Sequence, residues 1–157
     1  MAEPLTPLEV LALIPQQEPF RFLDEIVEVD ADHIVSRYTF RPEADFYRGH
    51  FPGNPITPGV LLIEAMAQTG VVALGIYLVG SERGRDEVRR VLTVFTDVTA
   101  EFSGVVKPGD TVTISARKVF FRMMKLRSEV RMTKADGTLV ASATLAGMGV
   151  EAPGGIA

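Results

Sequence analysis

Hydrophobic and polar positions divide the chain into a helical opening, two strands, one long apolar helix and four further strands. Thr6-Pro7 followed by Leu8, Val10, Leu11 and Ile14 has the spacing of a short helix, with Thr6 as cap and Pro7 at its first position; Pro15 ends it. Phe22–Val29 and Ile34–Phe40 read as strands on either side of the polar turn Asp30-Ala31-Asp32. Between Arg41 and Thr57 the density of proline and glycine predicts an ordered loop. A helix then runs from about Pro58 to Leu78, with Thr57 expected as its cap. Beyond Glu64 it is apolar nearly all round, so it must be enclosed by protein. Gly80 and the charged run Ser81–Glu87 read as a solvated link. Strands follow at about Arg90–Val98, Thr111–Ala116, Lys125–Met132 and Leu139–Val150, most of them alternating in polarity. One enclosed helix and six strands predict a single α+β domain over residues 1–157, an antiparallel sheet wrapping the helix, with flexible tails at about 1–5 and 151–157.

Composition removes several kinds of chemistry. There is no cysteine, hence no disulfide, thiolate metal site or thiol nucleophile. The opening Met1-Ala2-Glu3-Pro4 lacks the basic-then-apolar pattern of a secretory leader, and a cytoplasmic location is expected. Glu64, Gln68 and Thr69 inside the longest apolar stretch argue against a membrane span. A formal charge of −4 argues against a nucleic-acid partner. The first 80 residues carry 4 basic and 11 acidic side chains and the remainder 12 and 9, so any basic surface belongs to the second half. Its best candidate is the run from Arg117 to Lys134. Ordinarily such a run is the solvated face of a sheet; the alternative is a docking surface for an acidic partner.

The stretch Arg48–Gln68 carries the chemistry. With Thr57 as cap, Gly59 and Val60 are the second and third helical residues, and their N–H groups have no intrahelical partner. The helix dipole adds about half a positive charge there, a fitting site for an oxygen on which negative charge develops. Gly59 has no side chain to keep a ligand's carbonyl away. Val60, Glu64 and Gln68, spaced by four, share one face. On an enclosed helix the Glu64 carboxyl is expected to hold its proton near neutral pH, with Gln68 orienting it. His50, in a loop stiffened by Pro52 and Pro55, has an intrinsic pKa near ~6.5, suited to a general base. A carbonyl-polarising donor, an imidazole and a protonated carboxyl form a set for β-elimination from a 3-hydroxyacyl thioester, because hydroxide leaves poorly unless it is protonated. His50 and Glu64 are therefore the candidate catalytic residues, and Gly59, Val60, Gln68 and Ile56 the candidate substrate-binding residues. His33, beside a turn, reads as exposed and inert. Phe20, Phe46, Tyr47 and Phe102 read as core or interface packing.

Gly49-His50-Phe51-Pro52-Gly53, Pro55, Pro58-Gly59-Val60 and Glu64-Ala65-Met66-Ala67-Gln68 together resemble the (3R)-hydroxyacyl-[acyl-carrier-protein] dehydratases of fatty-acid synthesis. The resemblance extends more weakly to Pro15…Pro19-Phe20…Asp24, Phe102…Val106-Lys107-Pro108-Gly109-Asp110 and Leu139-Val140-Ala141-Ser142-Ala143. It implies the hot-dog fold, His50 and Glu64 as the catalytic pair contributed by two subunits of a dimer, and the Gly59 N–H as carbonyl donor. It further implies assembly of dimers into hexamers, acyl carrier protein as partner with the substrate on its phosphopantetheine, and no metal or organic cofactor. Glu rather than Asp at position 64 resembles the branch that dehydrates without isomerising. The chain departs from the pattern at Gln16-Gln17, where the family usually has His-Arg, at Ser103-Gly104-Val105, where it usually has basic residues and proline, and at Thr57. A hot-dog thioesterase using Glu64 to activate water, and a non-catalytic acyl-binding paralogue, are the competing readings.

Overall fold

The computed structural model describes residues 2–152. The N-terminal helix, Pro7–Leu13, is closed by the Thr6–Glu9 capping box. Six strands, β1 (Glu25–Val29), β2 (His33–Thr39), β3 (Val91–Phe102), β4 (Thr111–Arg122), β5 (Lys125–Lys134) and β6 (Leu139–Glu151), form one antiparallel sheet in the order β1-β2-β4-β5-β6-β3. The alternation read in β4 and β5 sets its two faces. Val112, Ile114 and Ala116 with Leu126, Val130 and Met132 point inward and are buried, while Arg117, Glu129 and Arg131 point outward. Burial of this apolar set against the central helix is the main source of stability.

The central helix spans Gly59–Arg83 and is two-thirds enclosed. It is longer than the sequence suggested: Ser81–Arg83 continue it rather than beginning a link. Gly84, at φ 91°, ends it with an N–H bond to the Gly80 carbonyl (2.9 Å), and Arg85–Val88 form another helical turn. A residue at positive φ past the last turn is what glycine supplies without a Cβ clash. Within the helix, Gln68–Ala73 is wound as a π-helix. There a Cβ on Gly70 would lie 2.7 Å from Val130, so the sheet approaches the helix backbone directly. Buried hydroxyls fasten the same segment: Ser128 Oγ donates to the Gly70 carbonyl (2.6 Å), and the Ser36 and Thr69 hydroxyls bond each other (2.6 Å).

At the start of the chain, Leu5 is buried against Gly80, and at its end Glu151 is in β6 with Ala152 buried beside it, so the expected loose tails narrow on both sides. Met1 and residues 153–157 lie outside the described residues.

β3 is an edge strand of 12 residues, and most of it is exposed. On the side facing the helix layer, Phe95, Val98 and Phe102 remain close to half exposed. A long uncovered apolar edge is an association surface.

Candidate active site

The loop before the central helix is held by its own polar groups. A 3-10 turn, Asp45–Arg48, sends Tyr47 inward, where its hydroxyl bonds Thr57 Oγ1 (2.5 Å). This corrects the expected cap. The Thr57 hydroxyl is engaged by Tyr47, Pro58 takes the cap position with an extended ψ, and Gly59 and Val60 become the first and second helical residues. Leu61 and Leu62 N–H both bond the Pro58 carbonyl, which leaves the Gly59 and Val60 N–H groups without a partner among the described residues. The place a Gly59 side chain would take is filled by the Phe102 ring, 3.3 Å from an ideal Cβ. Glycine there lets β3 pack on the helix end, in addition to leaving its amide free.

His50 follows the 3-10 turn and is half-buried, with Phe51 stacked on its ring at 4.2 Å. Its Nδ1–H donates to the Ile56 carbonyl (2.8 Å), and Ile56 N–H donates back to the His50 carbonyl (2.8 Å). Because a carbonyl can only accept, this bond fixes the tautomer and leaves the Nε2 lone pair available. Ile56, expected as a substrate contact, thus holds the histidine in place.

Along the central helix, exposure falls from 73 % at Val60, through the half-buried Glu64, to nothing at Gln68. Burial raises the Glu64 carboxyl above its ordinary pKa, opposed by a hydrogen bond from Gln68 Nε2 (3.3 Å). The stronger bonds of Gln68 are to the Phe20 carbonyl (2.9 Å) and from the Phe22 N–H (2.7 Å), so it clamps the chain before β1 onto the helix as well as touching Glu64. Glu64 lines a small cavity with Gln16, Ala67, Val71, Val72, Thr93, Phe95 and Gly147. A second, apolar cavity shares Val71, Thr93 and Gly147 with it and continues along the helix towards Met124.

Gly59, Val60, Glu64 and Gln68 thus lie together on one helix, and His50 and Ile56 together in one loop. The two groups do not meet within the chain: no hydrogen bond joins His50 to Glu64, and His50 does not line the Glu64 cavity. Among the described residues, no cluster of three or more His, Asp or Glu side chains is placed to hold a metal ion. Sequence reasoning missed Gln16, Thr93, Phe95 and Gly147 as cavity residues. Gln16 carried a signal only as a departure from a family pattern, and Gly147 carried none.

Elsewhere, the basic run is largely paired. Arg117 bonds Glu129, Lys118 approaches Asp32, Lys125 and Arg127 meet Asp97, and Lys134 reaches Asp110. Among the described residues Arg122 and Arg131 make no ion pair, and Arg122 lies over the Phe120 ring. His33, beside its turn, bonds Asp30 Oδ2 through Nδ1 (2.9 Å). Burial would lower its pKa, but Asp30 and Glu28 outweigh that and raise it.

A FabA-like domain model matches residues 14–146. The chain is 37 % identical over 130 residues to the 3-hydroxyacyl-[acyl-carrier-protein] dehydratase FabZ of Chloroflexus aggregans, covering 82 % of this chain and 85 % of that protein. It is 37 % identical over 139 residues to the protein of that name from Acetivibrio thermocellus, covering 87 % and 89 %. Among solved structures, the dehydratase heterocomplex ApeI:P from Xenorhabdus doucetiae superposes with a TM-score of 0.71 at 17 % identity, covering 94 % of this chain and 93 % of that one. A hypothetical thioesterase with coenzyme A from Streptococcus pneumoniae superposes at 0.59 and 16 % identity, covering 81 % and 85 %. At those identities the two structures speak for the fold alone, which is the hot-dog fold read from the sequence.

Proposed function

The chain belongs to the FabA-like family, and on that premise we propose that it dehydrates (3R)-3-hydroxyacyl-[acyl-carrier-protein] to trans-2-enoyl-[acyl-carrier-protein] in fatty-acid biosynthesis. The observation that carries this reading is Glu64: burial holds its carboxyl towards the neutral form, about five residues and so ~7.5 Å along the helix from two unpartnered amides. The Gly59 N–H donates a hydrogen bond to the thioester carbonyl oxygen and stabilises the negative charge that develops there as C2–H breaks. His50 Nε2 takes the C2 proton. Glu64 protonates the C3 hydroxyl, the C3–O bond breaks, and water leaves as the C2–C3 double bond forms. The imidazolium and carboxylate left behind return to their starting forms by passing a proton between them or through solvent.

His50 and Glu64 act together only if they come from different subunits. The apolar edge at Phe95, Val98 and Phe102 supports a dimer built along β3, which covers that edge beside the Glu64 cavity. A larger assembly of such dimers rests on the family resemblance. The acyl chain runs into the apolar cavity behind Glu64, while the phosphopantetheine arm and its acidic carrier stay outside. The elimination draws on side chains and on the substrate's own thioester, without a cofactor, in the cytoplasm. A thioesterase would need Glu64 ionised to activate water, and burial opposes that. A non-catalytic acyl binder would have no use for a histidine whose tautomer is fixed.

The test is direct. Purified protein is incubated with 3-hydroxyacyl carriers of several chain lengths and followed by mass spectrometry for loss of one water. Release of free carrier thiol without enoyl product would favour the thioesterase, and binding without turnover the acyl-binding paralogue.

A further inference from the structure

We propose that Gln16 is a substrate-binding residue that accepts the hydrogen of the substrate's 3-hydroxyl and so turns that oxygen towards Glu64. The inference rests on the dehydratase reading and names a residue outside the signature.

Gln16 comes just after the N-terminal helix, in a segment fixed to the central helix. The side chain of Gln17 bonds the Ile14 carbonyl (3.0 Å), and both Phe20 and Phe22 are clamped by the amide of Gln68. That clamp is the residue one turn beyond Glu64, so the same contacts that hold the segment down bring Gln16 over the Glu64 cavity, which it lines. Gln16 Oε1 is buried and, among the described residues, has no hydrogen-bond partner. Buried acceptors are seldom left empty, because water would otherwise bond them; one on a residue that lines a cavity beside a carboxyl is a place for a donor that arrives with a ligand. The other such atoms are Arg21 Nε, Ser81 Oγ and Arg127 Nε. None of them lines this cavity.

The chemistry needs an acceptor at this point. A C3 hydroxyl about to leave must take the proton of Glu64 on a lone pair, and it can do so only if its own hydrogen points elsewhere. Gln68 is the poorer acceptor for that hydrogen, since it is fully buried, its Oε1 already accepts from Phe22 N–H and its Nε2 can only donate. Gln16 Oε1 can. As C3–O breaks, the oxygen carries one hydrogen bonded to Gln16 and one received from Glu64, and departs as water. The enoyl product has no hydroxyl and makes no such bond, so the interaction favours substrate over product and helps clear the site.

Three proteins test this: wild type, Gln16→Met, which keeps the length of the side chain but has no strong acceptor, and Gln16→Glu, which restores an oxygen at the same reach. Steady-state dehydration of a 3-hydroxyacyl carrier is measured alongside binding of the matching saturated acyl carrier, which lacks the hydroxyl. The expected result is a loss of about tenfold in kcat/KM for Gln16→Met, with saturated-acyl binding unchanged, and partial recovery in Gln16→Glu. Unchanged kcat/KM in Gln16→Met overturns the role of Gln16 and leaves the dehydratase reading intact. Equal losses for hydroxylated and saturated ligands overturn it too, by showing that the side chain only packs. A wild-type protein that dehydrates none of the carriers overturns the parent reading and this one with it.

Discussion

Gly147 lies so close to Val71 that a Cβ on it would come within 2.6 Å of Val71 Cγ1, with Thr93 Cγ2 at 2.9 Å on the other side. These three residues line both the Glu64 cavity and the apolar cavity behind it, so they form the partition between the two. Gly147→Ala must push Val71 or Thr93 into one cavity or the other. The expected outcome is a change of chain-length preference: kcat/KM for a 3-hydroxymyristoyl carrier falls about tenfold or more, while that for 3-hydroxybutyryl is nearly kept, a difference of about 1.4 kcal/mol in transition-state binding. Equal losses at both lengths would show that the acyl chain does not pass Gly147.

Glu64 ties activity and stability to pH in one direction. Its pKa is raised by burial from the ordinary 4.5, with the Gln68 bond pulling weakly the other way. The folded state therefore binds this proton more tightly than the unfolded chain does. The stability it contributes is complete below pH 4.5 and is lost as pH rises through the raised folded value. Glu64→Gln removes the titration. Its melting temperature should fall less between mildly acidic and mildly alkaline buffer than that of the wild type, while dehydration drops by about 10²–10⁴-fold. A variant whose melting temperature follows wild type across that range would mean that Glu64 is not held neutral by the fold.

The proposed division of labour between His50 and Glu64 has a quantitative signature. His50→Ala and Glu64→Gln homodimers should each be nearly inactive. If the pair is completed across a two-fold dimer, random mixing makes half the dimers hybrid, each with one intact and one doubly defective site. Refolding the two variants together should then restore about a quarter of wild-type activity. Sites contained within one chain would give no recovery at any mixing ratio.

Much of this was legible in the sequence because it depends on local rules. The period-two alternation in Thr111–Ala116 and Lys125–Met132 is the burial pattern of β4 and β5, and an apolar girdle around Ala65–Leu78 has no other place than under a sheet. What failed depended on partners distant in sequence. Thr57 has the chemistry of a cap, but Tyr47 reaches its hydroxyl first; Ser81–Arg83 are polar enough for a link, yet remain helical until Gly84. Gln16-Gln17 reads only as a departure from the family's His-Arg pair, until the fold carries Gln16 to the cavity of a residue 48 positions away. The candidate pair His50 and Glu64 could be named from the sequence, whereas the chain alone does not bring the two together.

The π-helical turn supplies the last expectation. At Gly70 the regular ladder of the helix is interrupted, and Ser128 Oγ–H bonds its carbonyl at 2.6 Å from a fully buried position on β5. In Ser128→Ala that carbonyl keeps its burial and loses this partner, a change that costs about 1–3 kcal/mol. For a domain of this size each kcal/mol lowers the melting temperature by about 2–4 °C. The side chain touches neither cavity, so kcat/KM at low temperature should stay within about twofold of wild type while the denaturant midpoint falls with its slope unchanged. An unshifted midpoint would mean that the π turn satisfies the Gly70 carbonyl from within the helix, and that the hydroxyl of Ser128 is held there by packing alone.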